Sequence, residues 1–389
     1  MAISFTAWSE KIHKVPPEES DDHSKDIYEK FHLFTLCLKT FTYKLMRGDV
    51  MLLAGDIGGT KTILALFSSE AGPQEPVVEE SFSSASHSRF EVIAKRFMAG
   101  ADIPIDRAVL GVAGPVVNGR ARITNLPWVL EEKKLQKALK IPHVRLINDL
   151  EALAHSVTIL KPSDLRTINR GKPFSGGAIA VIAPGTGLGE SFLTPEGSDS
   201  GSRYRAHPSE GGHSDFSPRN PMEYELLRHL HRQFHHVSYE RICSGQGIHE
   251  IYTFLKKTGR GSEPAWLAKE LAAADDPTPV IVNAAVKMIP PCRLCLKTLN
   301  VFTSILGAEA GNLALKVMAT KGVFLGGGIP PAILPILKNG PFLGAFWNKG
   351  RMSDLLSRVP VHVIMNPRAA LLGAAAYGLK GQEVARMGS

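Results

Sequence analysis

From Met51 onward the chain alternates short apolar runs with stretches of helical period, the rhythm of an α/β protein. Residues 52–67 (LLAGDIGGTKTILALF) hold an apolar strand, a Gly/Thr-rich turn and a second apolar strand. Residues 178–193 (AIAVIAPGTGLGESFL) repeat that plan. Each predicts a β-hairpin whose tip, poor in side chains, lets a ligand approach the backbone. Two such hairpins in one chain predict two similar lobes facing each other. A third glycine cluster, residues 322–331 (GVFLGGGIPP), predicts a strand running into a helix start, where backbone N–H groups can cradle a nucleotide. Residues 144–150 (VRLINDL) predict a strand ending on Asn148 and Asp149. The expected architecture is two mixed-sheet α/β domains with a cleft between them. The smaller comprises residues 51–157 plus a C-terminal helix within 368–389, and the larger residues 158–367.

The first fifty residues break this rhythm. Residues 15–25 (VPPEESDDHSK) are acidic and carry a double proline, a composition that buries too little apolar surface to order itself. Phe31, Phe34, Leu38, Phe41 and Leu45 fall near helical spacing and would form an apolar stripe in a helix. Residues 1–50 are therefore expected to be an extension, disordered or loosely helical: either Met51 is the functional start, or the segment is a short regulatory or docking helix.

Composition narrows the class. At 389 residues, 44% hydrophobic and 21% charged, the chain suits a globular protein with two ordinary cores. No apolar run reaches the ~20 residues that span a bilayer, and no secretory signal is expected. Four cysteines (Cys37, Cys243, Cys292, Cys295) are too few for a disulfide framework and point to a reducing cytoplasm. The net charge of +8 could suggest nucleic acid, but residues 1–50 hold 7 Lys+Arg against 8 Asp+Glu and form no basic arm. Neither a nucleic-acid nor a membrane partner is expected; a homodimer stays open.

Phosphoryl transfer to an alcohol needs donors around the phosphates, a metal to neutralise charge and a carboxylate to take the hydroxyl proton. The first hairpin offers Gly58, Gly59 and Thr60, with Asp56 at its mouth able to hold Mg²⁺ through water. The second offers Gly185, Thr186 and Gly187, but carries Ala183 where the first has Asp56, so their roles differ. Gly326, Gly327 and Gly328 form the third loop. Asn148 and Asp149 suit a helix cap as well as a catalytic carboxylate. Glu210 and His213 (PSEGGHSD) and Glu240 (YERICSG) supply polar side chains from glycine-flanked loops, as a sugar site requires.

In order along the chain, DIGGTKT, TNLPW, INDL, APGTGLG, EGGH, ERICSG and GGGI resemble the motif set of bacterial glucokinases, in the hexokinase/actin-like superfamily. The similarity covers about residues 51–380. It implies a two-lobed actin-like fold with ribonuclease H-like lobes, ATP and Mg²⁺, and transfer of the γ-phosphoryl group to glucose at the entry to glycolysis. It implies Asp149 as the base, Asn148, Glu210, His213 and Glu240 around the sugar, and Asn125 nearby. The glycine segments become two phosphate loops and an adenosine loop.

The related ROK family follows its E-x-G-H segment with a zinc-binding cysteine cluster, which this chain lacks after His213. Cys292 and Cys295 form C-x-x-C in a run of helical spacing with no second pair, so no structural zinc is expected. His229, His231, His235 and His236 read as one polar helix face, with His231 and His235 at i,i+4. A sugar-sensing regulator would need a DNA-binding helix-turn-helix, and residues 1–50 supply no basic recognition helix. A filament protein has no use for the sugar-shell residues. Within enzymes the alternatives are a kinase for another hexose or an amino sugar, or one using polyphosphate.

Overall fold

The computed structural model describes residues 50–123, 126–197 and 203–387, with side chains as far as residue 380. Asn125, Cys37 and the expected extension lie outside the described residues, apart from Val50.

The first sheet is built from β1 (Met51–Ile57), β2 (Lys61–Ser68), β3 (Val78–Ser83), β4 (Arg107–Val112) and, after a small meander, β8 (His143–Asn148). The meander, β5 (Val116–Val117), β6 (Arg120–Arg122) and β7 (Val129–Glu131), forms its own three-stranded sheet. The second large sheet contains β9 (Leu165–Asn169), β10 (Ile179–Pro184), β11 (Leu188–Glu196), β12 (Arg203–Ser209), β13 (Gly322–Leu325) and β14 (Val361–Ile364). The strand orders are β3-β2-β1-β4-β8 and β12-β11-β10-β13-β14-β9. In both, the leading strand pairs antiparallel with the next, which pairs antiparallel with a third, and on its other side pairs parallel with a later strand, which pairs parallel with another. The second sheet is thus a topological copy of the first, with β9 added antiparallel at its edge.

The helices needed to place the site are α1 (Phe90–Ala101), α2 (Glu132–Leu139), α3 (Asp149–Ser156), α4 (Pro221–His231), α5 (Gly245–Lys257), α6 (Ala265–Ala273), α7 (Pro277–Val286) and α8 (Arg293–Val317). A C-terminal helix spans Ala369–Met387. Strand alternation sends Leu53 and Ile57 to one face of the first sheet, into a core with Phe90, Phe97 and Leu135 of α1 and α2. Leu52 and Ala54 go to the other, against Ala152 of α3 and Leu371, Leu372 and Ala375 of the C-terminal helix. In the second sheet Ile179, Val181 and Ala183 meet Leu153 and Ala154 of α3. Ala180 and Ile182 face a larger core that includes α5, α7 and α8.

The helix α3 and the C-terminal helix therefore form a layer shared by both sheets. Their contact is very tight, because a Cβ at Gly373 would lie 1.7 Å from the Ala152 carbonyl oxygen. The chain has the two-lobed actin-like fold. Both cysteines of the C-x-x-C pair are buried, Cys292 just before α8 and Cys295 inside it. Among the described residues no helix is long and apolar enough to cross a membrane.

Candidate active site

The strands β1, β4 and β8 run parallel, so Asp56, at the end of β1, and Asn148, which closes β8, lie toward one edge of the sheet. Asn148 is the cap of α3. Its Oδ1 accepts the N–H groups of Leu150 (2.8 Å) and Glu151 (3.4 Å), and its Nδ2 donates to Gly114 O at 3.1 Å. The sequence allowed the Asn-Asp pair to be either cap or site, and in the structure both side chains meet the first turn, Asp149 Oδ1 accepting the Leu150 N–H at 2.9 Å as well. Asn148 caps the helix with Oδ1 and uses one amide hydrogen on Gly114 O, while Asp149 carries its carboxyl in the first turn.

That carboxyl is pushed up to about 7 by burial, by the charge of Asp56 and, less, by that of Glu210; the Leu150 N–H opposes the shift. Asp56 is itself raised to about 6 by burial, against the pull of Lys61. Two recessed carboxyls thus lie close enough for the charge of one to raise the other, an arrangement that suits a divalent cation.

The second lobe approaches from the opposite side. A Cβ at Gly189 of β11 would fall 2.2 Å from Leu150 Cδ2, and one at Gly326 would fall 2.4 Å from Leu153 Cδ2. The start of β11 and the loop after β13 therefore abut the first turns of α3. Glu240 Oε2 accepts the Leu188 N–H at 3.0 Å, and its N–H donates to Gly212 O at 2.9 Å. His213 lies between Glu210 (3.9 Å) and Glu240 (3.8 Å). Glu210, His213 and Glu240 are brought together, with Glu210 close enough to act on Asp149.

The family model for Glucokinase matches residues 53–380. The chain belongs to the glucokinase family. It is 41% identical to the Glucokinase of Trichormus variabilis over 340 residues, covering 84% of this chain and 98% of that one. It is 30% identical to a solved glucokinase from an Antarctic psychrotroph, with a TM-score of 0.70 over 84% of this chain and 98% of the other. A glucokinase from Balamuthia mandrillaris, solved in complex with glucose, is 20% identical, with a TM-score of 0.73 over 90% and 98% of the two chains. At that identity it attests the fold.

Several expectations need correction within this glucokinase scaffold. Not every loop glycine offers its N–H outward. Gly58 donates to Lys61 O (2.9 Å), Gly185 to Gly187 O (2.8 Å) and Gly326 to Ile182 O (2.9 Å), because the turns close on themselves. Gly59, Thr60, Thr186 and Gly187 are the remaining candidate donors of the two hairpins. Gly187 also makes room for the Glu240 side chain, since a Cβ there would sit 2.4 Å from Glu240 Oε2.

In the third loop Gly327 adopts φ +78, and a Cβ would meet Pro184 O at 2.5 Å, so only glycine fits there. Gly328 alone of the three faces open space. The helix it opens is four residues long and starts Ile-Pro-Pro, which removes two N–H donors. The histidine stretch is not one helix. Helix α4 ends at His231, whose Nδ1 contacts Phe234 O at 3.1 Å, so His231 and His235 do not share a helical face. His235 and His236 instead line a cavity of about 350 Å³ with His213 and Glu240. Among the described residues no three His, Cys, Asp or Glu side chains form a metal-binding group.

Sequence reasoning missed the supports. Ser84, fully buried, donates to Gly58 O at 2.8 Å and contacts Thr62 Oγ1 at 2.9 Å, fixing the first turn from below. The Gly245 N–H donates to Gly185 O at 2.9 Å, and Thr278 Oγ1 donates to Gly245 O at 3.0 Å. The start of α5, capped by Ser244, is thereby docked on the second hairpin.

Proposed function

We propose that the chain transfers the γ-phosphoryl group of MgATP to the primary hydroxyl of glucose, with Asp149 as the general base. What carries this is a single juxtaposition: a recessed carboxyl, titrating near neutrality, that opens onto the Glu210–His213–Glu240 cluster. A base poised near 7 takes a hydroxyl proton at physiological pH without being permanently charged. Glu210, His213 and Glu240 hold the other hydroxyls, assisted by the remaining amide hydrogen of Asn148. Asn125 joins this shell by resemblance to the family.

The backbone of Gly59 and Thr60 and of Thr186 and Gly187 receives the phosphates, and Gly328 lies toward the nucleotide. Mg²⁺ would be held through water by Asp56 and would supply charge neutralisation on the phosphates. Residues 51–157 with 368–389, and residues 158–367, are the two bodies that close around the sugar and exclude water. The work is assigned to the cytoplasm.

A coupled assay across a panel of hexoses and amino sugars, with ATP and with polyphosphate, tests the assignment. Glucose with ATP should give the highest kcat/KM, and a clear preference for another pair would replace the substrate. Two further results are expected. Glu240→Gln should raise the glucose KM roughly 10–100-fold, the loss of one hydrogen bond to a charged group, with the ATP KM unmoved. A shift confined to ATP would put this loop on the nucleotide side.

The pH profile of kcat/KM should carry an acid limb. Asp149 must be ionised to accept a proton and is raised to about 7, so activity should fall as pH drops through that value. A profile flat from pH 6 to pH 8 would remove Asp149 from the role.

A further inference from the structure

We propose that Glu190 and Glu309 form a buried acid pair that positions both sugar-side loops, and that glucose binding weakens when the pair loses its proton. The proposal rests on the assignment of Glu210, His213 and Glu240 to the sugar. Neither glutamate belongs to that shell, and neither was singled out by the sequence.

Glu190 is on β11, two residues after Leu188, so both side chains point to the same face of the sheet, toward α8. It is 2% exposed, and Glu309, on α8, is fully buried. Both Oε1 atoms are buried without a hydrogen-bond partner. A carboxylate in that condition is costly, and two close together are worse.

Each acid bears on one sugar loop. A Cβ at Gly211 would come within 2.1 Å of Glu190 Oε2, so the Glu190 carboxyl is wedged beneath the turn that carries Glu210 and His213. Glu309 Oε2 accepts from Asn312 Nδ2 at 2.8 Å, and the same amide donates to the hydroxyl of Tyr239 at 3.2 Å. Tyr239 directly precedes Glu240.

The surrounding charges decide where the proton resides. From α8, Lys316 Nζ lies 3.8 Å from Glu309 Oε1, with its side chain largely in solvent. Lys349 donates to Ala308 O at 2.9 Å and bonds Asn312 Oδ1. Arg219 is committed to Glu223 at 2.6 Å. Tyr239 and Cys243, from the loop that carries Glu240, are both raised by burial and, less, by Glu309, and remain neutral. Glu309 is itself raised by burial, but Asn312, Lys316, Tyr239 and Lys349 all oppose that shift, so it is the better compensated acid and Glu190 keeps the proton. Burial and the charge of Glu309 push Glu190 up to about 8. Above that pH a second negative charge appears under Gly211, opposed by Lys316 from a side chain that lies largely in solvent, and the loop shifts.

Glu190→Gln, Glu190→Ala and Glu210→Gln, assayed with glucose and ATP from pH 6.5 to 9.5, test the pair. In the native chain the glucose KM should rise as pH passes about 8 while the ATP KM stays level. Glu190→Gln, an amide of the same shape, should keep the neutral-pH glucose KM within about twofold and abolish the alkaline rise. Glu190→Ala empties the space beneath Gly211 and should raise the glucose KM about tenfold at pH 7, with kcat changed far less.

Stability reports the same proton independently. The folded pKa lies above the ordinary 4.5, so the stabilisation is complete below about 4.5 and is lost as pH rises through 8. The native melting temperature should therefore fall relative to that of Glu190→Gln across that window. An alkaline rise that persists in Glu190→Gln, or a glucose KM unmoved in Glu190→Ala, overturns the pair. If Glu210→Gln also leaves the glucose KM unmoved, the assignment of the loops to the sugar fails as well. If Glu210→Gln raises it, the pair alone fails.

Discussion

Asp149→Asn is expected to fold and to lose turnover by ~10²–10⁴, the usual contribution of a positioned general base. Folding should survive because the cap of α3 belongs to its neighbour: Asn148 receives the Leu150 and Glu151 N–H groups whether or not residue 149 is acidic. Glucose binding should fall much less than kcat. The variant should also be more thermostable than the native chain at pH 8. Asp149 is raised from 3.8 to about 7 by burial and by Asp56, so its contribution is full below about 3.8 and is lost as pH rises through 7. An amide escapes that loss, and the gap in melting temperature should close toward pH 4. Near-native kcat in a folded variant would reduce Asp149 to a structural role, whereas lower stability at pH 8 would remove the account of its strained ionisation.

Gly373→Val should be the most damaging single change to the scaffold. A Cβ at this position would lie 1.7 Å from Ala152 O and 2.9 Å from Ser156 N, both backbone atoms of α3. No rotamer relieves a clash with backbone, so the C-terminal helix must lift away from α3. Overpacking costs typically ~1–3 kcal/mol, occasionally more, and here the upper end applies because the contact is shared by both sheets. The melting temperature should fall by roughly 3–5 °C, at ~1–2 °C per kcal/mol for a chain of this length. Activity should fall with it, since α3 also carries Asp149. Calorimetry beside Gly72→Val, where no atom lies within 4 Å of the added Cβ, separates crowding from the substitution itself. Gly72 has φ +75, so the comparison includes a turn penalty and is a stringent one. A Gly373→Val variant as stable as the native chain would show that the two helices are not in fixed contact.

Much of this architecture is legible in the chain because it rests on local signals. Each glycine turn between apolar runs became a hairpin, and their repetition announced the duplicated sheet. Glu210, His213 and Glu240 could be found because glycines flank them and because their chemistry suits hydroxyl recognition. The features that escaped depend on contacts distant in sequence. Ser84 sits in a serine-rich stretch with nothing to single it out, yet its hydroxyl reaches Gly58 O twenty-six positions away. Helix α4 ends early because Phe234 leaves the helix and lies under the Arg241 guanidinium, 4.3 Å from ring centroid to Cζ. No helical pattern encodes that stacking. Glu190 left a faint trace, a charged residue at an inward position of an apolar strand, but its partner lies more than a hundred residues later in α8. The strands of the β5–β7 meander are two or three residues long, too short for any alternation to be seen.

The C-terminal helix has a consequence for synthesis. The inner face of the first sheet, Leu52, Ala54, Phe67 and Val109, is covered by Leu371, Leu372, Ala374 and Ala375. A ribosome makes the strands first and their cover last, with the whole second sheet translated in between. The second sheet and its helices can consolidate while the first still shows a partly bare apolar face. Domains generally fold as units in the order they emerge, but here the portion that emerges first must finish last. For most of its translation the nascent chain leaves that face without its C-terminal cover, and a message truncated shortly before codon 369 would yield a protein with every proposed catalytic residue and one face of its first sheet covered by α3 alone.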